Sequence, residues 1–145
     1  MIWVAIFITV VYLSYGTLFY GTRNSMSKLA VDWNKWLFTA YIVAETFLIL
    51  PYMFEITLDW LRWMVWFIGS GLLLLAGASI DNKDDLKYHY VGSVIACLGS
   101  LVRLCFINPV LLFVPLLMVS CGDKTMWQWN GELGIIMAIY LALAL

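Results

Sequence analysis

Three features of the sequence predict one fold class, an all-α polytopic transmembrane helix bundle of about six spans. The first is composition: 64% of the 145 residues are hydrophobic and 12% are charged, with a mean hydropathy of +0.93. A soluble domain holds roughly 45–50% apolar residues. The second is the recurrence of apolar stretches, several of which reach the roughly 20 residues a spanning helix needs. The third is the placing of the aromatics. Trp3, Tyr20, Trp33, Trp36, Tyr52, Trp60, Trp63, Tyr88, Tyr90, Trp127 and Trp129 sit near the ends of those stretches, as in the belts that mark membrane–water interfaces. No internal repeat or linker interrupts the chain, so residues 1–145 read as a single domain.

Taken in order, Ile2–Tyr20 has no Lys or Arg before Arg23. It lacks the basic start of a cleaved signal and is expected to stay as a membrane helix. The link Gly21–Lys35 places Leu29 and Trp33 at i, i+4 and is expected to lie in the interface as a short amphipathic helix capped by Asn24 or Ser25. Trp36–Phe54 forms the second span. Leu58–Ile80 forms the third, where Gly69, Gly71, Ala76 and Gly77, with Ser70 and Ser79, mark a face for close helix packing.

The fourth span, Tyr88–Phe106, follows an acidic and basic loop and carries most of the polar chemistry. His89, Ser93, Ala96, Ser100 and Arg103 fall at i, i+4, i+7, i+11 and i+14, which is one stripe of one helix. That stripe is expected to face the bundle centre, and the small pairs Gly92/Ala96 and Ala96/Ser100 let a neighbour approach closely. Pro109–Cys121 is short for a span and contains Pro115, so it is expected to be short, tilted or re-entrant. Pro109 suits a helix N1 position with Asn108 as its cap. The resulting tight turn predicts that the fourth and fifth helices are antiparallel neighbours. Trp127–Leu145 spans if Trp127 and Trp129 belong to its first turn.

Charge sets the expected orientation. Arg23, Lys28, Lys35, Lys83, Lys87 and Lys124 fall on one side of the spans, against Arg62 and Arg103 on the other. The positive-inside rule then puts both termini outside the cytoplasm, and the expected location is the cell membrane, read as a bacterial inner membrane. The formal net charge is −1 and there is no basic block, which excludes a nucleic-acid surface from the expectations. Membrane lipid is the expected partner, with a protein partner or a second copy of the chain as further candidates. Cys97, Cys105 and Cys121 show no metal-ligand or redox spacing, so neither a metal nor another cofactor is expected.

Three residues are candidates for chemistry. Glu45 falls mid-span, where an ionised carboxylate costs at least about 2.5–3.5 kcal/mol; it must be protonated, paired or facing water. Tyr41, Thr39 and Thr46 are its neighbours on the same helix, and Arg103 or His89 its candidate basic partners. Asp85 and His89 stand at i, i+4, a spacing at which a carboxylate orients an imidazole for acid–base work or metal binding. The plainer alternative makes Asp81, Asp84 or Asp85 a helix cap and leaves His89 at headgroup level. Arg103 either pairs inward with Glu45 or snorkels to the interface. Ser14, Ser25 and Ser27 lack a nucleophile elbow, and loop solvation accounts for Asp123, Lys124, Gln128 and Glu132.

The order Ser14-Tyr15-Gly16, Ser25-Met26-Ser27, Trp36-Leu37-Phe38-Thr39 and Ala76-Gly77-Ala78, before an acidic loop with His89 and Gly92, resembles small uncharacterised membrane proteins of gut bacteria and their phages. The segment Ala76–Ser100 is also similar to the third-loop region of the six-helix Frag/DRAM-type families, where a histidine followed by small residues opens the fourth helix. The resemblance implies one six-helix domain and no activity.

The function expected from these residues is a non-enzymatic interaction or membrane-organising role, with Glu45, His89, Ser93, Ser100 and Arg103 as a buried polar core. The alternatives are an intramembrane lipid-acting enzyme using Glu45, Asp85 and His89, a small transporter or proton-coupled channel, and a phage-type lysis protein.

Overall fold

The computed structural model describes residues 2–21, 35–78, 83–121 and 126–145. Residues 22–34, where an interfacial amphipathic helix is expected, and Ser79, Asp81 and the Asp123–Lys124 pair lie outside them. Among the described residues there are six α-helices and no strand: α1 (Ile2–Tyr20), α2 (Lys35–Ile56), α3 (Trp63–Gly77), α4 (Lys83–Ile107), α5 (Phe113–Cys121) and α6 (Trp127–Ala144). Segments within the first four helical regions are long and apolar enough to cross a membrane: Ile2–Phe19, Lys35–Ile56, Asp59–Gly77 and Asp85–Ile107. The fifth and sixth are not counted with them. α5 has nine residues, about 14 Å at 1.5 Å per residue, and α6 opens with Gln128, Asn130 and Glu132.

Helix ends differ from the sequence reading where polar chemistry outweighs hydropathy. The residues before Trp63 form a 3-10 turn over Asp59–Leu61, closed by Leu61 N–H donating to the Leu58 carbonyl at 2.8 Å and by an Arg62–Asp59 ion pair at 2.8 Å. The third helix is correspondingly shorter. α4 begins five residues before Tyr88, taking in Lys83, Asp84 and Asp85. Pro51 lies inside α2 without ending it. Pro109 opens another 3-10 turn, Pro109–Leu112, and the Asn108 side chain makes no cap hydrogen bond.

The helices follow one another around a ring. α1 packs on α2, α2 on α3 and α3 on α4; α6 packs on α4 and touches α1 and α2, and α5 lies outside against α6. The fifth segment, Pro109–Cys121, neighbours α4 through its opening turn Pro109–Leu112, but α5 itself packs mainly on α6. The reason is local: a Cβ on Gly134 of α6 would stand 2.5 Å from Pro115 Cα, so the backbones of α5 and α6 meet there, and Gly131 faces Val119 one turn away. α6 takes the place beside α4 instead. The α3–α4 contact is the tightest in the ring. A Cβ on Gly71 would lie 2.8 Å from Ala96 N, and one on Gly92 would lie 2.7 Å from both Gly71 O and Leu75 N, so only glycine permits this backbone approach. Gly77 meets nothing within 4 Å and Ser70 is exposed, so neither belongs to that face.

Large apolar side chains cover the outside: Phe7, Leu18, Phe47, Trp66, Leu98 and Leu116 are all exposed, as a lipid-facing surface requires. Trp3, Trp36, Trp60, Trp63 and Trp127 are exposed near helix ends, but Trp129 is buried. It packs in a core with Tyr12, Phe38, Tyr41, Ile42, Leu75 and Ala76, not in an interfacial belt. A second core, of Ala5, Ile49, Met53, Val65, Ile68 and Ile139, fills the opposite half of the bundle.

Candidate functional site

Glu45 is one of only two acidic residues in α2 and lies about 15 Å along the helix from either end. Burial at this depth demands hydrogen bonds, and they come from two other helices. Thr9 Oγ1 of α1 donates to Glu45 Oε1 at 3.0 Å, and Tyr140 of α6 binds Oε2 through its hydroxyl. Thr9 also meets the hydroxyl of Tyr140 at 2.8 Å and that of Tyr41 at 3.2 Å. The Tyr41 ring stacks on Tyr12, with centroids 4.2 Å apart and planes 1° from parallel. Of the expected same-helix neighbours, only Tyr41 joins this cluster, and it does so through Thr9. Thr46 bonds back to the Ile42 carbonyl at 2.7 Å, and Thr39 ties α2 to the Ala76 carbonyl at 2.9 Å.

Arg103 does not pair with Glu45, nor does it snorkel. It is fully buried, and its Nε donates to Thr57 Oγ1 at 2.6 Å while Nη2 donates to the Met53 carbonyl at 3.2 Å. Thr57 bonds to the same Met53 carbonyl. The physical reason is the end of α2, whose last carbonyls have no intrahelical acceptor role left and carry the negative end of the helix dipole. The last turn of α2 has no basic residue of its own. Arg103 supplies one from α4, and Arg62 supplies another by donating to the Phe54 carbonyl at 3.2 Å.

His89 is buried, not at headgroup level. Its imidazole meets the backbone of Leu75 and Ala78 at the end of α3 and lies 6.1 Å, centroid to centroid, from the Phe38 ring. Asp85 is half-buried one turn earlier. Ser100 is buried and Ser93 half-buried between His89 and Arg103. The stripe on α4 thus runs along the bundle interior, tying the end of α3 at one extreme and the end of α2 at the other.

Between these extremes the helices leave a cavity of about 130 Å³. α2 lines it from Phe38 through Tyr41 and Glu45 to Met53, α3 with Ile68, Leu72 and Leu75, α4 with Ser93, Ala96, Cys97 and Ser100, and α6 from Glu132 to Tyr140. The wall is mainly apolar, with Glu45, Glu132 and the hydroxyls as its polar points. Neither Asp85 nor His89 is part of it. The residues considered for acid–base chemistry are therefore not gathered in one space: Glu45 faces the cavity and His89 faces the end of α3. Among the described residues no group of three His, Cys, Asp or Glu side chains could hold a metal ion.

Sequence reasoning missed Thr9, Tyr12, Thr57 and Tyr140. A signal for the first two exists: Ala5, Thr9, Tyr12 and Gly16 fall at i, i+4, i+7 and i+11, and all four are buried, a small and polar stripe on an otherwise apolar helix. Tyr140 is a lone hydroxyl in an apolar run, and no periodicity singles it out. No family model, curated protein or solved structure matches the chain.

Proposed function

We propose that this multi-pass membrane protein acts by binding, holding a small and mainly apolar molecule in the cavity between α2, α3, α4 and α6. The observation that carries this reading is the cavity itself. It lies between four helices and is partly open to the outside, matches in volume the engineered apolar cavities of about 150 Å³ that take up benzene, and has a few convergent polar groups on an apolar wall, the usual make-up of a ligand site. Such a site suits the interaction role expected from the sequence. The intramembrane enzyme reading requires Glu45, Asp85 and His89 in one accessible space, and the cavity reaches only the first of them.

Cys97 on the cavity wall provides the test. With Cys105→Ser and Cys121→Ser in place, toluene is expected to slow modification of Cys97 by a small methanethiosulfonate reagent several-fold. Ser93→Phe, which fills the cavity from α4, is expected to abolish that protection. A Cys97 rate that toluene leaves unchanged in the otherwise intact protein would refute the binding reading.

A further inference from the structure

The hydrogen bonds around Glu45 can be counted. Four close contacts link Thr9, Tyr41, Tyr140 and the carboxyl, yet the three hydroxyls hold only one proton each. With an ionised carboxylate, Thr9 and Tyr140 each donate to Glu45 and Tyr41 donates to Thr9. The 2.8 Å contact between Thr9 and Tyr140 is then left with no proton between its two oxygens. A proton on Oε2 completes the set: Glu45 donates to Tyr140, Tyr140 to Thr9, and Thr9 back to Oε1, while Tyr41 also donates to Thr9. The geometry closes as a ring with the carboxyl in its acid form.

The cavity wall beside this ring is electrically one-sided. Its ionisable groups among the described residues are the carboxyls of Glu45 and Glu132, the phenols of Tyr41 and Tyr140, and the Cys97 thiol, with no Lys, Arg or His. α1 meets Glu45 through Thr9 and places Tyr12 against Tyr41, and α3 lines the cavity with the apolar side chains of Ile68, Leu72 and Leu75. Arg103 is engaged at the end of α2 and His89 at the end of α3, and neither lines the cavity.

We propose that the ligand of this cavity is a small organic cation with an apolar body, and that Glu45 gives up one proton as the cation binds. The step is an exchange. The carboxylic acid of Glu45 loses its proton to water, and the carboxylate that remains pairs with the incoming cation, so the charge inside the bundle rises by zero. A cation entering beside the neutral acid would be desolvated without a counter-ion, and a carboxylate without a cation would be buried uncompensated; each alone is costly. Tyr41 and Phe38 add aromatic side chains to the lining, a residue type suited to a cation. By linkage, the apparent dissociation constant falls about tenfold for each unit rise in pH over the range where Glu45 still holds its proton.

This inference rests on the cavity being a binding site, and one probe pair separates the two claims. N-methylpyridinium and toluene share a shape of about seven non-hydrogen atoms, the size class such a cavity accepts, and differ by one positive charge. Both are read by protection of Cys97 in the full chain held in nanodiscs, with a Cys105-only variant as the lipid-facing control. The expected result is protection by N-methylpyridinium that strengthens tenfold per pH unit, with about one proton released per cation bound in weakly buffered solution, and protection by toluene that does not change with pH. Glu45→Gln, whose amide can replace the acid proton in the ring, is expected to lose cation protection at least tenfold while keeping the wild-type melting profile. Protection by toluene without protection by the cation, or cation binding that ignores pH, overturns the inference and leaves the cavity reading standing. Protection by neither overturns both. Should Glu45→Gln misfold, proton release by the wild type still decides.

Discussion

At the scale of single residues, Arg103 and Glu45 illustrate two ways of keeping a polar group inside an apolar bundle. Arg103 is held by one hydroxyl and one carbonyl at the end of α2, so its stability depends on Thr57. Thr57→Val removes the acceptor of a charged donor and should cost about 1.5–3 kcal/mol in reversible unfolding. Adding Arg103→Met to that variant should recover part of the loss, because the uncompensated charge goes with it. A double variant less stable than Thr57→Val alone would contradict this account. Glu45 is held by neutral hydroxyls from α1 and α6. Glu45→Gln should therefore stay within about 1 kcal/mol of the wild type, whereas Glu45→Ala strands two hydroxyls and should cost about 2–4 kcal/mol by the usual penalty for buried unsatisfied groups. The same unfolding assay ranks all four variants.

At the scale of elements, the α3–α4 pair is the part of the bundle least able to yield. Gly92→Ala would press a methyl group against the Gly71 carbonyl and the Leu75 amide, backbone atoms that move only if the helices part. The expected loss is about 1–3 kcal/mol or more. Gly77→Ala, also on α3, meets open space and should be neutral or stabilise slightly through helix propensity. Equal effects of the two substitutions on the melting temperature would mean that propensity, not backbone contact, controls this pair. Gly134→Ala tests the α5–α6 seam in the same way. Its methyl group would meet the Pro115 backbone, and because α5 lies outside the ring, the expected effect is release of α5 with the Glu45 cluster left intact.

At the scale of the whole molecule, the antiparallel order of the helices constrains the termini. α5 and α6 run antiparallel, since Pro115 faces Gly134 and Val119 faces Gly131. The chain therefore returns to the face it left at the end of α4, whether or not that hairpin fully crosses. Both ends then share one face, and the basic residues predict which one. With Arg103 turned inward, Arg62 is the remaining basic residue on the terminal face, and it is paired with Asp59. A reporter fused after Leu145, in a bacterium expressing the chain, is expected to be active only when its fold matures outside the cytoplasm. Activity of a cytoplasm-only reporter at that position would reverse the orientation.

The sequence by itself determined the class of fold and the course of its main apolar helices, though not their ends, because apolar length and helical period are local properties that lipid and backbone hydrogen bonding enforce on each segment alone. It also marked Glu45 and the α4 stripe as exceptional, since polar groups in an apolar run are costly wherever they point. Only the tertiary structure decided their partners. Thr9, Glu45 and Tyr140 lie 36 and 95 residues apart along the chain, and no periodicity within a helix reports which faces of three helices will meet. The neighbour of α4 was settled the same way, by the fit of Pro115 into the gap left at Gly134, and not by the turn that precedes α5. The cavity is a remainder of those choices: it exists where the glycine contacts draw α3 onto α4 and the hydroxyl ring draws α1 and α6 onto α2, leaving between them a space that belongs to no segment of the sequence.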